Sequence, residues 1–332
     1  MSANEKALKY RIVSVLKNIG RPASIKEISG EISDKPVTTI RGRINENVNK
    51  LFKRVARGVY WFVSEEETSG VMLLEGNGLD MSYIEDESVD AIITDHPWLD
   101  PKSNKGTNRK FDNSYDTFLY KLEDFKEKAR VLKNGSFLVE ILPAENENNY
   151  KYLYKIKEMA EECGLLYYAK VPWRKGNLIF NTGRKSKNTE DIMFFTKGKA
   201  RALRPDQSKR KRLGGEHYMS GAAGMLPTDF ETEMEMDLKE VSEIDAQPAS
   251  NRNKIHQAEK PIELYQQIIN FVTKPGEIVL DQFAGSGNLG AAALLTNRFA
   301  FLIEKLNENV QKICKRLNHF AKKDQVVYQL NA

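Results

Sequence analysis

The 332-residue sequence is poor in cysteine and histidine, and this excludes several classes of site. Cys163 and Cys314 are too few for a disulfide framework or a cysteine-based zinc site, so we expect both to be core thiols. The four histidines are scattered without the spacing of metal ligands, and no Ser/His/Asp signature is present. The sequence therefore predicts no metal site.

Long hydrophobic runs are also lacking. No window approaches the length of a transmembrane helix, and the charged start "MSANEKALKYRIVSVLK" lacks the apolar stretch of a signal peptide. With 40% hydrophobic and 29% charged residues, the chain has enough apolar side chains for a sizeable core. We therefore expect a cytoplasmic protein with no membrane contact.

The net charge of +5 is unevenly distributed. Residues 1 to 63 hold 13 Lys and Arg against 5 Asp and Glu, whereas the remainder holds 38 against 41. A basic N-terminal module on a near-neutral body suggests a polyanionic partner for that module. The alternative is a merely solvated basic face.

Helical spacing and capping signals divide the basic module into three helices. "ALKYRIVSVLKNIG" stops at a glycine, Ser24 and Glu27 form a capping box, and "TTIRGRINENVNKLF" is the third helix. "KRVARGVYWFV" alternates around Gly58 as a β-hairpin does. This order resembles a winged helix-turn-helix domain over residues 1–64, followed by a linker at 65–70. The resemblance implies that the third helix contacts DNA through Arg41, Arg43, Asn45 and Lys50. Winged helices also serve as protein-interaction modules, and this alternative stays open.

The apolar run "VDAIIT" predicts a buried strand, and Asp95, His96, Pro97 and Trp98 follow it directly. In α/β proteins, functional groups gather at the carboxyl ends of the strands, so this tetrapeptide lies where a ligand should bind. The alternative is an ordinary strand-ending turn, with Pro97 as the breaker and Trp98 filling the core.

A second pattern lies near the end of the chain. The strand "EIVLD" leads through Asp281, Phe283, Gly285, Ser286 and Gly287 into a helix, and a second strand, "FAFLIE", ends at Glu304. Glycines let the backbone approach a ligand, and a carboxylate at the end of the second strand can accept both hydroxyls of a ribose. A dinucleotide-binding unit is the competing interpretation, but its GxGxxG pattern lacks this Asp-x-Phe-x-Gly frame.

The two patterns together resemble the amino-group DNA methyltransferases, whose catalytic motif is [Asp/Asn/Ser]-Pro-Pro-[Tyr/Phe/Trp]. "FAGSGNLG" resembles their S-adenosylmethionine site, and "HQAEKP" resembles a segment beside that cofactor. Because the catalytic motif comes first, the chain is similar to the permuted β group. The resemblance implies a Rossmann-like α/β fold with a mostly parallel, doubly wound sheet. It assigns the following residues to the cofactor site: Asn77, Lys260, Asp281, Phe283, Gly285, Ser286, Gly287 and Glu304.

The resemblance also assigns roles to the catalytic tetrapeptide. The exocyclic amino group of a base is a poor nucleophile, and two acceptors for its hydrogens draw it toward an attacking geometry. Asp95 would supply a carboxylate, His96 a backbone carbonyl, Pro97 a stiff turn, and Trp98 a stacking face for a flipped base.

The methyltransferase domain would span residues 71–332, with a catalytic half at 71–198, a target-recognition insert at about 199–253 and a cofactor half at 254–332. Residues 135–143 and 191–198 are predicted to be buried strands, and 171–177, with Arg174 and Lys175, resembles a loop near the target base. In the insert, Lys209, Arg210, Lys211 and Arg212 are expected to contact phosphates, unless they form a solvated loop.

The sequence departs from the family pattern at a few positions. His96 stands in place of the first proline, Gln257 and Gln282 in place of other prolines, and Asn77 where relatives usually have Asp. The main hypothesis is a site-specific adenine-N6 methyltransferase that acts on double-stranded DNA and is associated with the nucleoid. Cytosine N4 is the nearest alternative, followed by a DNA-binding regulator with a degenerate methyltransferase fold and by an RNA or protein methyltransferase. A homodimer and a separate restriction endonuclease are partners that the sequence leaves open.

Overall fold

The computed structural model describes residues 7–19, 22–48, 51–56, 58–62, 69–98, 117–175, 189–204, 225–232, 259–322 and 325–331. Several sequence predictions lie outside these ranges, wholly or in part: Lys50, most of the linker at 65–70, residues 176–177 of the predicted loop, most of the insert at 199–253 with its basic run from Lys209 to Arg212, and the first three residues of "HQAEKP".

The N-terminal unit contains three helices and a hairpin in the order that the sequence predicts, but the third helix ends at Asn45 rather than continuing to residue 52, where a strand begins. Its elements are α1 (Leu8–Ile19), β1 (Ala23–Ser24), α2 (Ile25–Glu31), α3 (Val37–Asn45), β2 (Phe52–Ala56) and β3 (Val59–Phe62). The three strands form a small sheet in the order β1-β3-β2. The capping box is present, because Glu27 N donates to Ser24 Oγ at 3.2 Å and Ser24 N donates to the Glu27 carboxylate at 2.8 Å.

The N-terminal unit has its own hydrophobic core. Ile12, Leu16, Ile40, Ile44 and Phe52 are fully buried and form one cluster, apart from the two clusters of the larger domain. Two side chains of β2 contact that domain. Lys53 Nζ donates to the Gly276 carbonyl oxygen at 3.0 Å, and Arg54 forms an ion pair with Glu85. The unit therefore combines an independent core with a polar attachment.

The larger domain is built on a nine-stranded sheet among the described residues. Its strands are β4 (Ser69–Glu75), β5 (Val89–Thr94), β6 (Leu132–Pro143), β7 (Leu165–Arg174), β8 (Thr189–Lys197), β9 (Phe230–Glu231), β10 (Ile278–Asp281), β11 (Phe299–Glu304) and β12 (Gln325–Asn331). Its helices are α4 (Leu122–Val131), α5 (Tyr150–Glu162), α6 (Ile262–Val272), α7 (Asn288–Leu295) and α8 (Asn307–Phe320).

The strand order is β12-β4-β11-β10-β5-β6-β8-β7-β9, and the sheet is parallel except where β8 runs antiparallel to β6 and β7. Apolar clusters cover both faces, one including α6, α7 and α8 and the other α4 and α5. Strands buried on both faces are near-continuous apolar runs, and all six residues of β5 are buried, as the sequence predicts. This is the predicted α/β architecture with a mostly parallel sheet.

In the larger domain, the structure corrects two predictions and adds several elements. Residues Val171 to Arg174, predicted as part of a loop, belong to β7, because this segment pairs with β8 through Pro172 and Trp173. Cys163 and Cys314 are half-buried rather than core thiols. The sequence did not predict α4, β9 or β12, and β9 lies within the segment predicted to be a target-recognition insert.

Candidate active site

The two predicted motifs meet at the centre of the sheet. β10 lies between β11 and β5, all three parallel, with Leu280 paired with Ile92. The carboxyl ends of the two central strands are joined directly, because Thr94 Oγ1 donates to Asp281 Oδ1 at 2.9 Å. Adjacent strands whose connections leave in opposite directions form a crevice at this edge, the usual ligand site of such sheets.

Asp95 presents one engaged and one unsatisfied oxygen at this edge. Oδ2 lies 2.7 Å from Lys260 Nζ, whereas Oδ1 is buried with no hydrogen-bond partner among the described residues. Burial raises the pKa of the Asp95 carboxyl, the nearby Glu190 adds to this, and the Lys260 ammonium opposes both. A buried acceptor without a donor is uncommon in proteins and marks a place where a ligand group can bind.

Lys260 lies between two carboxylates. Its Nζ is 3.3 Å from Glu190 Oε2 as well as 2.7 Å from Asp95, and Glu190 is also paired with Lys175. Burial alone would lower the pKa of Lys260, but these carboxylates raise it above its ordinary value. Burial alone would raise the pKa of Glu190, but the two lysines hold it below its ordinary value. The sequence assigned Lys260 to the cofactor site and Lys175 to DNA. The structure places both in a chain of alternating charges that ends at Asp95.

Three residues of the tetrapeptide have distinct surroundings. The His96 side chain is buried and lies 2.8 Å from the Tyr152 hydroxyl, so its imidazole is directed toward the interior of the domain. The carbonyl oxygen of Pro97 accepts a hydrogen bond from Phe118 N at 3.1 Å. Trp98 is half-buried. The turn is therefore held by the His96 side chain and by the backbone of Pro97.

Glu304 holds the glycine-containing turn that follows β10. Its Oε2 accepts from Gly285 N at 3.0 Å, and its Oε1 accepts from Leu306 N at 3.1 Å and from Asn309 Nδ2 at 3.2 Å. Burial raises the pKa of this carboxyl. Gly287 has φ +78°, and a Cβ there would lie 2.4 Å from Ile313 Cγ2. Both the backbone conformation and the packing therefore require glycine at this position.

The structure adds Arg316 to this turn, a residue that sequence reasoning missed. Arg316 is buried, and its Nη1 donates to the Ser286 carbonyl oxygen at 3.1 Å and to Asn288 Oδ1 at 2.8 Å. Asn288 Nδ2 donates in turn to the Lys260 carbonyl oxygen at 2.8 Å. Arg316 thus connects α8 to the turn, and Asn288 connects the turn to the segment that carries Lys260.

The loop after β4 packs against the start of the same turn. Gln282 Nε2 donates to the Gly78 carbonyl oxygen at 2.8 Å, and a Cβ on Gly78 would lie 1.9 Å from the Gln282 carbonyl oxygen. Asn77 is exposed, and its Oδ1 accepts from Leu79 N at 3.1 Å, which leaves that oxygen engaged within its own loop. Asp281 and Phe283 flank Gln282 in the sequence, and burial raises the pKa of Asp281 to about 7.

The predicted DNA-contacting residues lie in two regions. Arg41, Arg43 and Asn45 are exposed on α3, with Arg43 paired to Glu46 at 2.5 Å. Arg174 is exposed at the end of β7 and is paired with Asp229 at 2.6 Å. Within the described residues, no cluster of His, Cys, Asp or Glu is arranged to hold a metal ion. In the same ranges, no helix is long and apolar enough to cross a membrane.

Comparison with known proteins identifies the family of this chain. A family profile described as DNA methylase, of the N6/N4 type, matches residues 89–315. The Type II methyltransferase M.HpaI of Haemophilus parainfluenzae is 29% identical over 243 residues, covering 72% of this chain and 71% of that protein. The PvuII DNA methyltransferase, a cytosine-N4-specific enzyme, has a similar fold at 16% identity, with a TM-score of 0.51 over 79% of this chain and 96% of that one. A crystal structure of an M1.HpyAVI–SAM complex matches 75% of this chain and 99% of that chain at 21% identity and a TM-score of 0.48. The chain belongs to the N6/N4 DNA methylase family.

Proposed function

We propose that this protein methylates adenine N6 in double-stranded DNA, with Asp95 as the residue that orients the amino group of a flipped base. The observation that carries the proposal is the unpartnered, buried Oδ1 of Asp95 beside the turn held by Glu304. An amino group has two hydrogens to donate, and Oδ1 can accept one of them. The backbone carbonyl of His96 is the second acceptor in this proposal.

Asp95 acts as an acceptor rather than as a strong base. The nitrogen becomes cationic when the new bond forms, so its proton is lost afterwards without a strong base. A carboxylate fixed by Lys260 is already oriented when the base arrives, and this lowers the reorganisation that the reaction requires. Trp98 supplies a stacking face, worth about 1–3 kcal/mol per base in comparable sites.

The residues near Glu304 fit S-adenosylmethionine, which is the cofactor of the proposed reaction and supplies an electrophilic methyl group on sulfur. Glu304 Oε2 accepts a hydrogen bond from Gly285 N, and a carboxylate oxygen can accept more than one hydrogen bond, so this oxygen can also accept from a ribose hydroxyl. Asp281, Phe283, Gly285, Ser286 and Gly287 form the adjacent wall. Asn77 and Lys260 are proposed to contact the cofactor as well, and their side chains are also engaged as described above.

The choice of adenine follows from Asp95, because relatives that act on cytosine N4 more often begin the motif with serine. Cytosine N4 is the second candidate, since the fold is shared with a cytosine-N4-specific enzyme. The test is transfer of labelled methyl groups to mixed-sequence DNA, followed by digestion to nucleosides. Label on N6-methyladenine supports the proposal, and label on N4-methylcytosine assigns the alternative. Cofactor binding without transfer to any base supports the non-catalytic regulator instead.

We expect Gly78→Ala to weaken S-adenosylmethionine binding by at least about tenfold, because the added Cβ cannot coexist with the Gln282 carbonyl and must displace residues 282–283. Isothermal calorimetry measures the change. Gly30→Ala is the matched control, because nothing lies within 4 Å of its Cβ. Unchanged affinity in the Gly78 variant would show that this loop does not shape the cofactor site.

The N-terminal unit is proposed to be a winged helix-turn-helix domain that binds DNA through α3. Its helices and hairpin have the order of that fold, and Arg41 and Arg43 are exposed on α3. Lys50, Arg174, Lys175 and residues 209–212 are proposed as further contacts. A homodimer and a separate restriction endonuclease remain proposals that no contact in the described residues addresses.

We expect Arg41→Ala to weaken DNA binding and to reduce the slope of log affinity against log salt concentration by about one, as loss of a single phosphate contact does. Fluorescence anisotropy at several salt concentrations measures both quantities. Lys155→Ala on α5 removes the same charge from an exposed site on the larger domain and should leave the slope unchanged. Equal slopes for the Arg41 variant and the wild type would contradict a phosphate contact by α3.

A further inference from the structure

The imidazole of His96 lies among three aromatic rings rather than in the crevice. The side chain is 0% exposed, and its ring centroid is 4.1 Å from that of Tyr120, 5.6 Å from Phe118 and 5.9 Å from Tyr152. Phe118 and Tyr120 precede α4, and Tyr152 lies on α5. The residue that follows Asp95 is therefore attached to the layer that covers one face of the sheet.

Hydrogen bonds determine which imidazole nitrogen carries the proton. The Tyr152 hydroxyl accepts from Tyr120 N at 3.2 Å and lies 2.8 Å from His96 Nε2. Among the described residues, the proton of this hydroxyl finds an acceptor only if Nε2 is unprotonated, which places the proton of the neutral imidazole on Nδ1. Nδ1 is 3.8 Å from Glu140 Oε2, which is beyond hydrogen-bond distance, and has no hydrogen-bond partner among the described residues. Its N–H therefore faces the negative charge of Glu140 without a direct hydrogen bond, and Tyr152 is the hydrogen-bond partner of the ring.

Glu140 belongs to a fully buried ion pair with Lys128, and Tyr120 Oη donates to Glu140 Oε2 at 3.1 Å. Burial alone would raise the pKa of Glu140, but Lys128, followed by His96, holds it below the ordinary value. A buried ion pair persists only where its geometry is well satisfied, so this group has little freedom to move. It provides a rigid support for the ring of His96.

We propose that His96 is a positioning residue: its imidazole, held by Tyr152 and facing Glu140, fixes the Asp95 to Trp98 turn as the ring of a proline would. This inference rests on the proposed function. A proline restrains the turn covalently, whereas His96 restrains it through a hydrogen bond to another layer of the fold. The carbonyl of His96 and the carboxylate of Asp95 are the two proposed acceptors, so both depend on this restraint.

The first test measures the single-turnover rate of methyl transfer, well below the unfolding temperature, in four variants: Tyr152→Phe, His96→Ala, His96→Gln and the His96→Ala/Tyr152→Phe double variant. We expect the first two to slow transfer by about tenfold or more, because small misplacements of reacting groups cost up to about 100-fold. The affinity for S-adenosylmethionine should stay within about threefold. A glutamine oxygen can still accept from Tyr152, so His96→Gln should recover part of the rate.

The rate of the double variant shows whether His96 and Tyr152 act together, and this distinguishes a positioning role from simple structural support. If His96 acts through Tyr152, the double variant is no slower than His96→Ala alone, because the hydrogen bond is already absent. Losses that multiply in the double variant, or wild-type rates in both single variants, would overturn the inference. Lowered thermal stability with an unchanged rate would also overturn it.

The second test requires no activity. In the protein labelled with ¹⁵N-histidine, the chain has only four histidines, and His96→Gln identifies the signal of interest. We expect a protonated Nδ1 and an unprotonated Nε2, with a clear shift of the Nε2 signal in Tyr152→Phe. If the wild type fails to methylate DNA, this spectrum still tests the restraint. A proton on Nε2, or a spectrum unchanged by Tyr152→Phe, contradicts it.

Discussion

Asp95→Ala is expected to lower the single-turnover rate of methyl transfer by at least about 100-fold, the loss typical of removing one oriented polar group from a transition state. The affinity for S-adenosylmethionine should stay within a few-fold, because the turn after β10 is held by Glu304 and Arg316 rather than by Asp95. Lys260 keeps Glu190 as its counterion, so the variant should fold. Single-turnover assays with excess enzyme, quenched at successive times, measure the rate. Calorimetry with S-adenosylmethionine measures the affinity.

Asp95→Asn is the isosteric control for this prediction. Its amide oxygen can still accept one hydrogen, but the negative charge beside Lys260 is lost. We expect a rate between those of the wild type and the alanine variant. Equal loss of transfer and of cofactor affinity in Asp95→Ala would contradict the separation of roles between the two halves of the site.

Lys260→Met should slow methyl transfer about as much as Asp95→Ala does, and it should lower the stability of the fold more. It removes the buried cation that faces both Asp95 and Glu190, and breaking a buried ion pair typically costs about 3–5 kcal/mol of unfolding free energy. Urea denaturation at neutral pH measures this cost. Lys274→Met, at an exposed position just after α6, is the matched control and should unfold like the wild type.

The same variant should change the pH dependence of the reaction. Burial and Glu190 raise the pKa of Asp95, and the Lys260 charge opposes them, so removing Lys260 raises this pKa further. Only the ionised carboxylate serves as the full acceptor. As the pH falls, Lys260→Met should therefore lose activity at a higher pH than the wild type and regain it as the pH rises. Superimposable pH–rate profiles would show that Lys260 does not set the charge of Asp95.

The motifs of the site could be predicted because each is local in sequence. Four consecutive residues carry the catalytic pattern, and the strand, glycines and second strand of the cofactor pattern fall between residues 278 and 304. Glu190 could not be predicted, since a carboxylate ahead of an apolar strand has no local signature. Glu190 lies on β8, whereas Lys260 lies just before α6. Only the tertiary structure brings these two side chains together.

The role of His96 and the course of β7 could not be predicted for similar reasons. The sequence shows that His96 has lost the rigid ring of a proline, but nothing near it indicates Tyr152, which is 56 positions away. The family resemblance placed residues 171–177 in a loop, yet pairing with β8 keeps Val171 to Arg174 in a strand. In both cases a partner that is distant in the sequence determines the local structure.

The hydrogen bond between Thr94 and Asp281 joins residues 187 positions apart, and this separation has a consequence for synthesis on the ribosome. At about 5–20 residues per second, roughly 10–40 seconds pass between translation of β5 and translation of its neighbour β10. During that time the apolar edge of β5 lacks its native partner. We therefore expect the nascent chain to depend on chaperones during this interval, and a fragment that ends before β10 to aggregate even though it contains every residue of the catalytic tetrapeptide.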